Sequence, residues 1–68
     1  MGKITIKEDF IKLQSLLKLS GIASTGGEAK VIIQESMVKV NGENETRRGR
    51  KVRKGDSVTV GEVSIDVC

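Results

Sequence analysis

Arg47, Arg48, Arg50, Lys51, Arg53 and Lys54 put six basic side chains into eight residues, inside the stretch TRRGRKVRKGDS (46–57), with no acid among those eight. These residue types bind anions. A guanidinium presents a planar fork of donors that matches two phosphate oxygens, and an ammonium acts as a compact point charge. The chain has 12 bases and 9 acids, a net charge of +3, which hides this local density. Screening limits each charge to a reach of about 8 Å at physiological salt, so clustering matters more than net charge for attracting a polyanion.

Other chemistries lack their residues. There is no histidine, and Cys68 is the single cysteine. That leaves no zinc set, no nucleophile–base pair and no internal disulfide, and a reducing compartment suits such a chain. The segment GRKVRKGD lacks the spacing of a phosphate-binding nucleotide loop. The carboxylates are scattered and read as caps or solvating groups rather than general acids. A chain of 68 residues has little room for a concave substrate pocket. The sequence therefore reads as non-catalytic, with no cofactor or metal. No apolar run has the length of a signal peptide or membrane span. Neither the MGKITI start nor the NET sequon at 44–46 supports a modification here. Phe10 is the single aromatic residue, and its spacing with Leu13 and Leu17 places it in the core. Without stacking platforms, nucleic-acid binding would rest on phosphate contacts and shape, as for duplex or hairpin RNA.

Local patterns supply the elements that would hold these bases. KITIK (3–7) alternates as a strand with Ile4 and Ile6 on one face. EDFIKLQSLLKL (8–19) has helical period, with Glu8 and Asp9 at the favourable positive end and Ser20-Gly21 as its stop. STGGEAKVIIQES (24–36) predicts a second helix that buries Ala29, Ile32 and Ile33, opened by the capping-box pattern Thr25-x-x-Glu28. MVKV (37–40), SVTV (57–60) and VSIDV (63–67) predict strands, with tight turns at Asn41-Gly42 and Gly61-Glu62. The order predicts a single α+β domain over 1–68, with two helices on one side of a small, mostly antiparallel sheet of short strands.

The basic run lies between strand signals, contains Val52 and ends in Lys54-Gly55-Asp56. It is a loop or edge strand rather than a free tail. Charges can simply guard an exposed edge against aggregation. Edges protected in that way carry mixed signs or one or two lysines. Six bases without an acid accept self-repulsion, which favours phosphate binding over a solvated edge.

The assembled features resemble a known family. They are an L-x-x-L-L helix, a glycine turn, a Ser/Thr start to a helix bearing Ala29 and Ile33, V-x-V-N-G at 38–42, a basic segment, and G-D-x-V at 55–58. In this order they resemble the RNA-binding domain named after small-subunit ribosomal protein four, the αL motif, over about residues 10–60. Thr25-Gly26-Gly27-Glu28-Ala29-Lys30 and Thr46-Arg47-Arg48 look most like the small stand-alone bacterial members of the YbcJ/YaaA type. The resemblance implies a cytoplasmic RNA-binding protein, with structured ribosomal or transfer RNA as partner and no membrane. It implies a contact surface of Thr25, Lys30, Arg47, Arg48, Arg50, Lys51, Arg53 and Lys54. Many members have an arginine directly after the Ser/Thr that opens the second helix; here that residue is Gly26. Thr25 also reads as a plain helix cap, and Lys30 and Lys54 as solvating charges. Two rival readings remain open: a protein-interaction adaptor on a ribosome or replication assembly, and a DNA-binding protein.

Overall fold

The computed structural model describes residues Gly2–Cys68. The chain runs β1 (Gly2–Ile4), β2 (Ile11–Lys12), α1 (Leu13–Leu19), α2 (Gly26–Gln34), β3 (Val38–Val40), β4 (Glu43–Asn44), β5 (Lys51–Val52), β6 (Ser57–Val60) and β7 (Val63–Val67). Two turns set the sheet. Asn41 and Gly42 both take positive φ, 54° and 86°, the primed geometry whose twist suits a hairpin. They join β3 to β4, with Val40 opposite Glu43 and Lys39 opposite Asn44. Gly61, at φ 61°, opens the β6–β7 turn, with Val60 opposite Val63. β3 also pairs antiparallel with β6, and β1 pairs parallel with β7. The result is a five-stranded sheet in the order β1-β7-β6-β3-β4, beside a two-stranded β2–β5 ribbon. The expected α+β architecture is the one adopted.

Alternation along the strands decides what the sheet buries. Val38, Val40, Val58, Val60, Ile65 and Val67 join Leu13, Leu16, Leu17, Ala29 and Ile33 in one buried cluster. Each fully buried aliphatic side chain contributes about 1.5–3 kcal/mol of transfer free energy. Lys39, Thr59, Ser64 and Asp66 take the intervening positions and remain at least partly exposed. Val63, expected to continue the apolar stripe, is 44% exposed beside the turn. β1 ends at Ile4 rather than Lys7. Ile6 is still buried, and its N–H donates to the Cys68 carbonyl at 2.9 Å.

The first helix departs most from expectation. It begins at Leu13, not Glu8, and its first turn contains no acid. Ile11 and Lys12 instead form β2, paired with β5. The reason is a cap supplied from elsewhere in the chain. Leu13 N–H donates to the Arg50 carbonyl (2.8 Å) and Gln14 N–H to the Arg48 carbonyl (3.1 Å). These carbonyls satisfy helix-start donors that a side-chain cap would otherwise serve. Phe10 consequently lies before the helix and is half-buried rather than core. Gly21, at φ 84°, ends α1 as its type suggests.

The second helix is shorter than 24–36 but starts as expected. The Thr25 hydroxyl accepts the Glu28 N–H at 3.1 Å. The Glu28 carboxylate reaches back to the Ser24 N–H (3.2 Å) rather than to that of Thr25. Ser36 closes the helix at φ 60°. Its N–H donates to the Ile33 carbonyl and that of Met37 to Ile32, the paired bonds of a Schellman stop.

Candidate nucleic-acid interface

The basic run is fastened along its length to residues 11–14. Gln14 and Leu13 donate to the Arg48 and Arg50 carbonyls, Lys12 lies opposite Lys51, and Ile11 lies opposite Val52. Val52 is fully buried, while its neighbours Lys51 and Arg53 are exposed. The far end is closed by a turn in which Gly55 takes φ 95°. There the Asp56 carboxylate accepts the Arg53 N–H (2.8 Å) and the Asn41 Nδ2–H (3.1 Å), and Asn41 Oδ1 accepts the Ser57 N–H (2.9 Å). The bond from the Arg53 amide, then that from Asn41, holds the Asp56 carboxyl below its ordinary range. The run is a pinned strip.

Glu45 is a site residue the sequence reading missed. It is 5% exposed, a buried carboxylate directly below the strip. Its Oε2 accepts from Arg47 Nε (2.9 Å) and the Arg47 N–H (3.1 Å). Its Oε1 accepts from Arg47 Nη2 (3.1 Å) and Arg50 Nη1 (2.8 Å). The Arg47 side-chain bond, then that of Arg50, outweighs desolvation and brings the Glu45 carboxyl down to about 2. The same bond pushes Arg47 upward. An unpartnered buried carboxylate would be costly; here both oxygens are engaged. A signal for Glu45 existed. The Asn41-Gly42 register, counted outward from Val40–Glu43 and Lys39–Asn44, places residue 45 opposite buried Val38, and the Glu45 N–H does donate to the Val38 carbonyl at 3.0 Å.

The six bases therefore divide into two groups. Arg47 and Arg50 are held by Glu45, with side chains 76% and 32% exposed, and each keeps guanidinium N–H groups that Glu45 does not use. Arg48, Lys51, Arg53 and Lys54 are exposed and form no ion pair among the described residues. Lys51 Nζ lies 4.9 Å from the centroid of the Phe10 ring, so the one aromatic residue borders the strip. Thr25, which caps α2, and Lys30 on that helix are exposed, and no hydrogen bond or ion pair joins either to the strip among the described residues. A Cβ added at Gly26 would meet nothing within 4 Å, so the space beside Thr25 is open.

Among the described residues, no group of three or more His, Cys, Asp or Glu side chains could hold a metal ion. No helix there is long and apolar enough to cross a membrane. A depression of about 260 Å³ lined by Ile4, Ile22, Val63 and Ile65, among others, includes none of the basic run.

The geometry has close counterparts in known proteins. The family model for the S4 domain matches residues 4–68. The Escherichia coli (strain K12) protein named "Putative RNA-binding protein YbcJ" is 39% identical over 61 residues, spanning 90% of this chain and 87% of that protein. The Bacillus subtilis (strain 168) protein named "Probable ribosome maturation protein RlbA" is 42% identical over 57 residues, 84% of this chain and 80% of that one. The solution structure of Escherichia coli YbcJ, described as revealing an αL motif involved in RNA binding, superposes with a TM-score of 0.74 at 36% identity, covering 96% of this chain and 84% of that one. The Thermoplasma acidophilum 30S ribosomal protein S4e shares the fold, with a TM-score of 0.64 at 24% identity over 85% of this chain and 31% of that chain. With nearly its full length matched by the family model and by both relatives' shared region, this chain belongs to the S4-domain family.

Proposed function

We propose that the chain is a non-catalytic, cytoplasmic module that binds structured RNA, with ribosomal RNA the favoured partner and transfer RNA the alternative. The observation that carries this reading is the pinned strip. Arg48, Lys51, Arg53 and Lys54 extend into solvent from a backbone bonded to α1 on one side and to the Asn41–Asp56 turn on the other. Rigid presentation lowers the ordering cost of binding. Arg47 adds a guanidinium fixed at a known place, and Thr25 and Lys30 offer a second contact from α2. The names of the two relatives, one for RNA binding and one for ribosome maturation, point the same way.

Four free bases set a scale. Neutralising about four phosphates gives a slope of roughly −3 to −4 for log affinity against log salt. A hairpin RNA titrated at several salt concentrations measures it, and a flat dependence overturns the proposal. The double variant Arg48→Glu/Arg53→Glu should abolish binding while keeping a cooperative melting transition, because neither side chain carries a hydrogen bond or ion pair among the described residues and the Arg53 side chain acts on Asp56 only through its charge. Competition between duplex RNA and duplex DNA at matched salt tests the choice of nucleic acid, through the 2′-hydroxyl. Partners that survive nuclease digestion of a pull-down would instead favour the protein adaptor.

A further inference from the structure

We propose that Lys12 and Lys51 together hold a single phosphate of the bound RNA, making Lys12, which lies 35 positions before Arg47 in the sequence, a contact residue of the interface. The inference rests on the RNA-binding reading and adds a site to it. The β2–β5 ribbon sets Lys12 directly opposite Lys51. Ile11 and Val52, the other pair, are partly or fully buried, while both lysines are exposed. Directly opposed side chains on an antiparallel pair share one face, and like charges there are destabilising.

Neither lysine forms an ion pair among the described residues, although Glu8 and Asp9 are near in sequence. Glu45 is committed to Arg47 and Arg50, and Asp56 to Arg53 and Asn41. Lys51 instead rests over Phe10, the diagonal neighbour across the ribbon. The two lysine backbones are held opposite each other by the flanking bonds from Leu13 to Arg50 and Gln14 to Arg48, so both flexible stems rise from one place on the surface. Two ammonium groups on one face, with no ion-pair partner among the described residues, suit one phosphodiester. Its negative charge removes the repulsion, and its two free oxygens accept one donor each.

The test uses the full chain with a hairpin RNA, comparing wild type, Lys12→Gln, Lys51→Gln and the double variant. Lys12→Gln should weaken binding by about three- to tenfold near 0.1 M salt and make the salt slope shallower by up to about one. The double variant should bind more weakly than either single one, but by less than the product of the two single effects, since both lysines serve the same phosphate. In the absence of RNA, Lys12→Gln should melt at a higher temperature, because a repulsion is removed. Unchanged affinity on Lys12→Gln, single-variant effects that multiply in full, or a lower melting temperature would each overturn the shared site. If Arg48→Glu/Arg53→Glu abolishes binding while Lys12→Gln does not alter it, this inference alone fails. If wild type shows no salt-dependent RNA binding, the functional reading fails with it.

Discussion

Glu45 changes what the basic run means at the scale of single residues. By charge alone, removing an acid beneath six bases should strengthen RNA binding. The structure predicts the reverse. Without its carboxylate, Arg47 and Arg50 lose the anchor that fixes them, so Glu45→Gln should weaken binding of a hairpin RNA despite the added net positive charge. Stronger binding by that variant would refute the anchoring role. Its stability should also fall, by on the order of 2 kcal/mol, a figure discounted because Arg47 faces solvent. The pH dependence has a definite sign. Glu45 is lowered from 4.5 to about 2 on folding. The folded state therefore binds fewer protons than the unfolded one, and the stabilisation is complete above about 4.5 and lost as the pH falls towards 2. Melting temperatures measured from pH 7 to 2 should converge for wild type and Glu45→Gln at the acid end; a constant gap throughout would contradict the linkage. The same geometry disfavours Arg47→Glu as a surface probe, since it would place a second carboxylate against a buried one. Glu45 was legible through strand parity across the Asn41-Gly42 turn, but not through composition, where it is one acid among nine.

The two helices differ in how much of each could be read locally. The α2 start was legible because its cap is local: Thr25 and Glu28 lie within one turn, and their bond forms. The α1 start was not, because its cap comes from the Arg48 and Arg50 carbonyls, more than 30 positions away. Helical periodicity continued through Phe10 and Ile11, yet pairing with β5 took Ile11 and Lys12 into a strand. Tertiary bonding overrode local pattern there. The α2 start also carries a prediction. Gly26 does not have positive φ, and a Cβ there has open space. Gly26→Arg should therefore fold, with a gain of up to about 0.8 kcal/mol from helix propensity. It should also raise RNA affinity several-fold, on the order of one added phosphate contact. Melting curves and a hairpin titration read the two effects separately. A gain in stability with no gain in affinity would place the α2 start outside the interface.

For the whole molecule, β7 joins parts that no local pattern connects. The alternation of SVTV and VSIDV and the Gly61 turn made the β6–β7 hairpin legible. The parallel pairing of β1 with β7 links the two ends of the described chain, and nothing near either end announces it. Ile4 lies opposite Val67, Ile6 N–H donates to the Cys68 carbonyl, and Cys68 N–H donates to that of Ile4. The same stretch secures the strip's closing turn: Gly55 N–H donates to the Val67 carbonyl, and Val67 N–H to that of Asp56. Removing Asp66–Cys68 deletes these four bonds, worth about 1 kcal/mol each in net terms. It also deletes Val67, 3% exposed, whose burial contributes about 1.5–3 kcal/mol. A domain of 68 residues has a total stability of roughly 3–10 kcal/mol. The loss is comparable to the whole, so the truncated chain should show no cooperative thermal transition. It would keep all twelve bases and lose only one acid, Asp66, so its net charge would not fall. If clustered charge were sufficient, its affinity for a hairpin RNA would hold. If the fold is what presents the strip, affinity should drop with the transition, and a truncated chain that unfolds yet binds as tightly as wild type would show that the scaffold is dispensable.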